Sequence, residues 1–580
     1  MATTESLNQE IAQQNTVCDD LRQQNAEASL VEEAKEKLDE LKESLGALNK
    51  AAAGGEETKK KELLLLKTAK GTRDYGPEEM LCKEHIERIV KDCFTKFGGA
   101  CIDTPVFERK DLLTDKYGEG ETLMIKLMDQ GGEQLALRYD HTVPLARYLA
   151  MEGTKNTQSK LWQVGKVYRR DSPVISKGRM REFLQADFDI TGTWDAMIPD
   201  AEIISLLNTI LSKLDVGEFT IKINHRQILD GVFEVCGVPN DKLRSISSAV
   251  DNLDKLPWLE VKKEMTEEKG LDPAVADKIG EYMRHKGGVE LLDTLLADQA
   301  LIANPSAKAG LEDMGLLFKL LKAYKALDRI SFDMSLARGL DYYTGIIYEA
   351  TVEGSAPPGF KQANALASSS TDPATVTVEP PKKGKQGEDA EEEVDEFQVG
   401  VGSIAGGGRY DNVVGMFSAA AAGEGKKAFG TPCIGVSIGL DRIFAIVGPK
   451  WVEKGMRSKS TMVFVMSAED GLLEERIELV QELREAGLNT DFLAKNKPNL
   501  LAQFTAGDGE KVPFAIILSG DELKEGLVTV KEQMWELKDG KQSKIESAKA
   551  DNGVKVNRAE LIQWIKSSAV FSEWQSGKFV

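Results

Sequence analysis

The chain has 580 residues, of which 41% are hydrophobic and 29% are charged. This length predicts several folded domains, and the composition excludes a wholly disordered chain. No apolar run approaches the roughly 18 to 20 residues of a membrane-spanning helix, since even Leu63–Leu66 is flanked by lysines. The net charge of −20 argues against a nucleic-acid partner, but acidic residues are concentrated in the tails and a linker, notably the run 388–396, so net charge is a weak guide.

Residues 1–66 are predicted to form a helical hairpin. Apolar residues recur at alternating steps of three and four between Val31 and Leu48, and a similar pattern begins at Leu7. The lysines at 59–61 form a basic edge that suits RNA, although a solvated face explains them equally well. The first residues show neither a signal core nor an arginine-rich amphipathic pattern, which predicts a cytoplasmic protein.

From Gly71 onward the pattern becomes mixed α/β. Apolar residues with helical spacing predict a helix from about residue 77 that Gly98 ends. Cys82 and Cys93 lie on its apolar face, where buried packing is favoured over a reactive thiol. The six cysteines include no C-x-x-C pair and the four histidines stand far apart, which argues against disulfides and structural zinc.

Three further regions complete the predicted organisation. Residues 225–327 have helical periodicity and are interpreted as a helical unit inserted into a sheet domain. Residues 354–396 are rich in Ser, Ala, Pro, Lys and Glu and are predicted to be a disordered acidic loop. After Pro449 a strand, a helix and a second strand predict a separate C-terminal α/β domain over 460–580.

One predicted strand, 181–190, carries the most informative pattern. Strand alternation places the apolar Leu184, Ala186, Phe188 and Ile190 on one face, and Arg181, Phe183, Gln185, Asp187 and Asp189 on the other. A face that combines a guanidinium, an aromatic ring, an amide and two acids suits a polar ligand. By itself, the pattern fits a binding site and a solvated surface equally well.

Basic residues surround this strand. The segments 166–171 and 177–181 carry several arginines, whose planar forks suit the oxygens of a polyphosphate. The match of 400–405 to the dinucleotide fingerprint G-x-G-x-x-A is interpreted as chance, because the following glycines do not predict a helix. The sequence contains no P-loop motif.

Taken together and in this order, seven segments resemble the histidyl-tRNA synthetase family. They are Gly71–Tyr75, Leu137–Pro144, Tyr168–Asp171, the strand at 181–190, Ala337–Tyr343, Gly407–Tyr410 and Gly439–Arg442. The resemblance covers roughly residues 67 to 575, and the N-terminal hairpin is similar to the WHEP domain of eukaryotic synthetases.

The resemblance implies an α+β fold of the class II synthetase type, an antiparallel sheet flanked by helices. It implies a catalytic domain over 67–224 and 328–449 and an anticodon-binding domain over 460–580. Motif 1 would be the helix at 77–98 with the strand ending at Pro105, which builds a homodimer interface in this family. In the anticodon-binding domain, possible RNA contacts are Arg476, Lys495, Lys497 and Gln503.

The resemblance also assigns roles to individual residues. ATP, as a substrate accompanied by Mg²⁺, would be bound by Arg169, Arg179, Arg181, Phe183 and Arg442. Arg169 would hold the α-phosphate, and Phe183 and Arg442 would sandwich adenine. No protein ligand for a metal is assigned.

Histidine would be bound by Asp140, Thr142, Gln185, Asp189, Arg338, Tyr342, Tyr343 and Tyr410. Of these, Asp189, Tyr343 and Tyr410 would surround its imidazole. Arg338 would be the catalytic arginine between the histidine carboxylate and the α-phosphate, with Arg169 as the second catalytic arginine.

Two departures and one rival reading accompany the resemblance. His141 stands where the family has an apolar residue and is interpreted as a packing or solvent-facing substitution. Gly406 adds a third glycine to the Gly-Gly-Arg-Tyr motif. The rival function is a catalytically silent paralogue that senses histidine or tRNA, but such relatives usually lose motif arginines, whereas this chain keeps Arg169, Arg338 and Arg442.

Overall fold

The protein is described from a computed structural model, which divides into two compact units, Met1–Lys67 and Thr68–Val580. The described residues are 10–17, 34–35, 37–38, 40–42, 44–45, 66–114, 124–128, 131–153, 158–254, 256–339, 342–352, 402–422, 429–453, 457, 459–533, 535–538, 541–544 and 553–575. The predicted disordered loop lies outside them, as does most of the predicted hairpin. In the smaller unit residues 10–17 are helical, and Ile11 packs against Ala34 and Leu38.

The larger unit begins with a helix and then alternates strands and helices, labelled here in chain order. Up to residue 453 the elements are α1 (Pro77–Lys96), β1 (Ala100–Cys101), β2 (Phe107–Arg109), α2 (Lys110–Thr114), β3 (Leu135–Leu137), α3 (Thr142–Glu152), β4 (Gln158–Tyr168), β5 (Glu182–Gly192), α4 (Ile198–Lys213), β6 (Phe219–His225), α5 (Arg226–Cys236), α6 (Leu243–Val250), α7 (Trp258–Lys263), α8 (Pro273–Met283), β7 (Lys286–Gly287), α9 (Val289–Leu296), α10 (Gln299–Ala303), α11 (Pro305–Ala323), β8 (Ile330–Asp333), β9 (Ile346–Val352), β10 (Ala405–Arg409), α12 (Val413–Ala422), β11 (Cys433–Gly439) and α13 (Leu440–Glu453).

Nine of these strands form one sheet in the order β1-β4-β5-β11-β10-β9-β6-β8-β7. Its neighbours are antiparallel except for the pairs β1–β4 and β6–β8, which are parallel. The predicted α+β class with a largely antiparallel sheet is therefore confirmed. Helix α1 packs its buried Cys82, Cys93 and Phe94 into the core beneath β5, as its apolar spacing predicts.

Helices α5 to α11 lie between β6 and β8 and form most of the region 226–323. Two of them, α5 and α11, approach closely because α5 has a glycine at the crossing. A Cβ added at Gly231 would lie 2.5 Å from the Cβ of Ala307. The short strand β7 comes from this region but pairs with β8 at the edge of the main sheet.

The C-terminal part has a sheet and apolar core of its own. Its elements are β12 (Val463–Ser467), α14 (Leu473–Glu485), β13 (Thr490–Phe492), α15 (Leu500–Gly509), β14 (Phe514–Leu518), α16 (Gly520–Lys524), β15 (Leu527–Glu532), β16 (Trp535–Lys538), β17 (Lys541–Lys544), β18 (Val554–Asn557), α17 (Leu561–Ser567) and α18 (Ala569–Gln575). Five strands pair in the order β13-β12-β14-β15-β18. Helix α13 continues through Pro449 to Glu453, so it passes the predicted boundary at 449.

Within the described residues, no helix is long and apolar enough to cross a membrane.

Candidate active site

The centre of the sheet carries a buried carboxylate–phenol pair. Asp189 on β5 lies opposite Gly435 on β11. A Cβ at Gly435 would lie 1.7 Å from the Asp189 carboxylate oxygen, so only glycine leaves room for this acid. The Tyr410 hydroxyl donates a hydrogen bond to Asp189, and both residues are buried. A carboxylate of β5 and a phenol from the residue after β10 are thus held in one place.

The three glycines of β10 make room for the side chains beside them. A Cβ at Gly406 would lie 2.5 Å from Nη1 of Arg338, and one at Gly408 would lie 2.7 Å from the Tyr343 ring. Gly407 faces the opposite side, where a Cβ would lie 2.0 Å from the carbonyl oxygen of Gly435. Because strand side chains alternate, the outer two glycines open the same face of the sheet. The extra Gly406 therefore accommodates the guanidinium of Arg338.

Among the described residues, Arg338 is held by Glu349 and Ser403. Its Nη1 donates to Oε2 of Glu349 over 3.2 Å and to the Ser403 hydroxyl over 3.4 Å. Its side chain remains 40% exposed, unlike the Glu349 side chain at 8%. The guanidinium is therefore oriented by an anchored carboxylate and still has surface for a ligand.

Asp187 is a site residue to which the sequence assigned no role. Its carboxylate accepts the Gln185 amide Nε2 at 2.9 and 3.2 Å and the Ser437 hydroxyl at 2.7 Å. These bonds turn the amide nitrogen of Gln185 toward Asp187 and leave its carbonyl oxygen as the acceptor for a ligand. The alternation of β5 placed Asp187 on the polar face, but the bond to Gln185 was not readable from the sequence.

Three carboxylates share this end of the pocket. Burial raises the pKa of Asp187 to about 7, and the neighbouring Asp140 adds to this rise. Burial likewise raises the pKa of Asp140 to about 6. The pKa of Asp189 is raised well above its usual value by burial and by the Asp187 charge. Crowded acids of this kind favour a cationic ligand, whose charge offsets their mutual repulsion.

Arginines converge at the other end. Burial, and then the like charges of Arg179, Arg169 and Arg338, lower the pKa of Arg442 to about 10. Arg169 donates from Nε to the carbonyl of Tyr139 over 3.0 Å and lies 5.2 Å from the centre of the Phe183 ring. Four guanidiniums that repel one another favour a polyanionic ligand.

The arginine end is tied to α1 through Asp441, the residue before Arg442. The Asp441 carboxylate accepts the Tyr75 hydroxyl at 2.7 Å, the ammonium of Lys83, and the backbone N–H of Leu184 at 2.6 Å. Lys83 also lies 3.8 Å from the centre of the Tyr75 ring. One buried acid therefore joins α1, β5 and α13 beside Phe183 and Arg442.

The remaining predicted ligands make different contacts with the protein. Asp140 and Thr142 stand at the start of α3, where Asp140 accepts the backbone N–H of Val143 at 3.2 Å. The rings of Tyr342 and Tyr343 pack with centroids 4.2 Å apart. The Nε of Arg181 donates to the carbonyl of Asp171 over 3.1 Å, and the stem of its side chain covers Gly71.

The structure decides between the two readings of His141. Its side chain is 1% exposed, and Nε2 lies 3.3 Å from the carbonyls of both Gly165 and Gln185. Burial lowers its pKa to about 3, so the ring is neutral. His141 is a packing residue beside Gln185, and the solvent-facing reading is wrong.

Two of the predicted RNA contacts in the C-terminal part are also wrong. Arg476 is fully buried and donates to the carbonyls of Leu493 and Lys495 at 3.3 and 2.9 Å. Gln503 is fully buried too and bonds both the N–H and the C=O of Ser467. Both side chains satisfy backbone groups inside the domain and cannot reach RNA. Lys497 is 68% exposed near Asp470.

Comparison with known proteins agrees with this geometry. Residues 71–359 match the family described as histidyl-tRNA synthetase, and residues 461–568 match the anticodon binding domain. A histidine--tRNA ligase of Danio rerio is 44% identical over 98% of this chain and 99% of its own length. The cytoplasmic ligase of Takifugu rubripes is 46% identical over 89% of this chain and 90% of its own, and the human mitochondrial ligase is 45% identical over 80% and 84%.

A solved structure gives the same result. The crystal structure of histidyl-tRNA synthetase from Nostoc sp. PCC 7120 is 26% identical, has a TM-score of 0.64, and covers 87% of this chain and 99% of its own. The sheet and its flanking helices thus define a class II aminoacyl-tRNA synthetase. Within that class, the chain belongs to the histidyl-tRNA synthetase family, ATP-dependent enzymes that ligate histidine to tRNA.

Proposed function

We propose that the pocket around Arg338 activates histidine with ATP and then transfers it to tRNA(His). The observation that carries this assignment is the shared position of two opposite environments. In addition to burial, the charge of Asp140 raises the pKa of Asp187 and of Asp189, and the charge of Arg169 acts in the opposite direction on the pKa of Asp140. At the far end, in addition to burial, the charges of Arg169 and Arg338 help to lower the pKa of Arg442. These mutual charge effects support one pocket with an acidic end for an amino acid and a cationic end for a nucleotide.

At the acidic end, the proposed ligand is histidine. Asp140, Thr142 and the carbonyl oxygen of Gln185 would accept hydrogen bonds from its α-ammonium group. Asp189, Tyr343 and Tyr410 would surround the imidazole, with Tyr342 packed behind. A ring with one donor and one acceptor matches a carboxylate and a phenol, and an amino acid that lacks those nitrogens would leave buried polar groups unpaired.

At the cationic end, the proposed ligand is ATP. Phe183 and Arg442 would enclose the adenine, Arg169 would hold the α-phosphate, and Arg179 would reach the outer phosphates. Arg179 is exposed and borders Gly402, where a Cβ would lie 3.1 Å from its Nη2. An exposed guanidinium of this kind can move to meet the triphosphate.

Arg338 would lie between the two substrates. The histidine carboxylate attacks the α-phosphorus, the bond to pyrophosphate breaks, and a mixed anhydride forms. Arg338 would stabilise the charge that develops on the α-phosphate oxygens, because Glu349 already fixes its orientation. A ribose hydroxyl of the tRNA then attacks the carbonyl carbon, and AMP leaves.

Mg²⁺ would enter together with ATP. Phosphate oxygens would supply several of its ligands, as is usual for magnesium in nucleotide sites.

A homodimer is the proposed assembly. Near motif 1 the strand β1 is exposed, and the apolar Val106, Phe107, Leu127 and Met128 are 38%, 56%, 37% and 86% exposed. An exposed apolar surface of this kind is typical of a protein interface. Sedimentation equilibrium tests this assembly, since Phe107→Asp is expected to give monomers and an unchanged dimer would contradict it.

We also propose that the enzyme works in the cytoplasm and that its N-terminal hairpin contacts RNA or protein partners. Pyrophosphate exchange with each of the twenty amino acids tests the function. Exchange with histidine alone is the expected result. Histidine binding without exchange would instead indicate the silent paralogue.

A further inference from the structure

We propose that Thr344, Arg409 and Asp411, anchored on Asp200, form a clamp that sets the spacing between Tyr343 and Tyr410. We call these four residues the tyrosine clamp. The inference rests on the proposed role of the two phenols in binding imidazole. The clamp residues are positioning residues, which act on histidine only through the tyrosines.

The clamp residues adjoin the two tyrosines in the chain. Thr344 follows Tyr343, while Arg409 and Asp411 flank Tyr410. The backbone N–H of Thr344 donates to the Arg409 carbonyl at 2.7 Å. The Thr344 hydroxyl donates to Oδ2 of Asp411 at 2.9 Å and accepts the Asp411 backbone N–H at 3.2 Å. Two segments far apart in sequence are thereby joined directly beside both phenols.

Arg409 anchors this junction in the core. Its Nε donates to Oδ1 of Asp200 at 3.0 Å, its Nη2 donates to the other Asp200 oxygen, and its Nη1 donates to Asp411 at 3.2 Å. The Asp200 side chain on α4 has no exposed surface, whereas that of Arg409 is 18% exposed. Only the planar fork of arginine can bridge two carboxylates in this way, so lysine is not an equivalent.

A third contact links the clamp to the strand opposite Asp189. The backbone N–H of Tyr410 donates to the carbonyl of Cys433 at 2.7 Å, and the Cys433 N–H donates to Oδ1 of Asp411 at 3.3 Å. Cys433 begins β11, whose Gly435 makes room for Asp189. The clamp thus fixes Tyr343, Tyr410 and the acid that Tyr410 bonds in one frame.

This geometry has a selective consequence. If the clamp loosens, the two phenols lose their fixed separation, but Arg169 and Arg179 keep their positions because they lie on segments that the clamp does not bond. Loss of a clamp bond should therefore raise the KM for histidine and leave the KM for ATP unchanged. A merely structural role would alter stability or shift both constants together.

The experiment compares Thr344→Val, Thr344→Ser and Asp200→Asn in the full-length enzyme by histidine-dependent pyrophosphate exchange. Thr344→Val removes the hydroxyl at nearly constant volume and is expected to raise the KM for histidine about tenfold, the loss expected for a hydrogen bond to a charged group. Thr344→Ser keeps the hydroxyl and should restore the normal KM. Asp200→Asn should give the larger rise.

A matched control lies on the same helix. Glu202, also on α4, pairs with Lys160 of β4 away from the tyrosines, so Glu202→Gln should leave both KM values unchanged. An unchanged histidine KM in Thr344→Val, or equal shifts of both KM values, would overturn the clamp. Tyr410→Phe separates the two proposals: if it too leaves the histidine KM unchanged, the imidazole assignment itself has failed.

Discussion

The two ends of the pocket are built in opposite ways. At the histidine end, Asp187, Asp189, Gln185 and Tyr410 bond one another before any ligand arrives. At the ATP end, the arginines repel one another, and Arg442 has its pKa lowered to about 10 by burial and by the like charges around it. The first end is preorganised for one small ring. At the second end Arg169 and Arg442 donate to the backbone carbonyls of Tyr139 and Ser403. The repulsion among its positive charges is offset when the negatively charged triphosphate binds.

Arg338→Ala gives the largest expected effect, because Arg338 serves both ends. Loss of the charge that stabilises the transition state should reduce the rate of histidyl-adenylate formation by about 10²- to 10³-fold or more. Single-turnover adenylate formation measures this, with circular dichroism as the control for folding. Near-normal turnover would contradict the role given to Arg338.

Gly406→Ala should have the next largest effect. The added Cβ would lie 2.5 Å from Nη1 of Arg338 and would displace the guanidinium. Misplacement by about 1 Å is expected to lower kcat by roughly 10²-fold. Gly415→Ala is the matched control, since its nearest neighbour is 3.6 Å away. If Gly406→Ala and Gly415→Ala have the same kcat, the explanation for the extra glycine is wrong.

Arg179→Gln sharpens the comparison at the ATP end. The variant should raise the KM for ATP by about tenfold, since it removes a charge-assisted contact. It should not lower the melting temperature of the free enzyme, because it also removes one of the charges that repel Arg442. Steady-state kinetics and thermal melts test the two halves of this prediction. A strongly destabilised free enzyme would show that Arg179 has a structural partner.

Asp187→Asn makes the contrasting change at the histidine end. Asparagine can present its own amide to Gln185 and reverse that side chain, so the KM for histidine should rise about fivefold to tenfold while the KM for ATP stays constant. This substitution alters the hydrogen bonds that Asp187 makes to Gln185 and Ser437 in the free enzyme, so its melting temperature should fall. Equal changes in the KM for histidine and the KM for ATP would contradict the proposal that the two ends bind different substrates.

The smallest expected effect is a pH dependence confined to histidine. The pKa values of about 7 for Asp187 and about 6 for Asp140 are raised, so these acids take up protons as the pH falls below them. A neutral acid attracts the α-ammonium less, so the KM for histidine should rise by a few fold as the pH drops through this range. The pKa of Arg442, about 10, lies well above this range, and the KM for ATP should stay flat. In Asp187→Asn, the KM for histidine should rise less as the pH falls, because residue 187 can no longer take up a proton. If the variant has the same pH dependence as the unaltered enzyme, the rise comes from protonation of the substrate and not of Asp187.

The wrong predictions concern polar side chains that form hydrogen bonds with backbone groups of the same domain. Arg476 and Gln503 look like RNA contacts because arginine and glutamine are usually exposed. In the structure they satisfy carbonyl and amide groups of neighbouring turns inside the C-terminal domain. Nothing in their sequence neighbourhood distinguishes these two uses. The same difficulty hid the bond between Asp187 and Gln185.

The sequence by itself determined the polar face of β5, because strand alternation is a local property of the chain. Its motifs and their order indicated the family, and the resemblance to that family implied the largely antiparallel sheet. Only the tertiary structure decided that Gly406 makes room for Arg338, that Arg409 reaches Asp200 on α4, and that His141 is buried. Each of these depends on atoms from segments distant in sequence meeting at a few ångströms. Spacing along a chain carries no record of such distances.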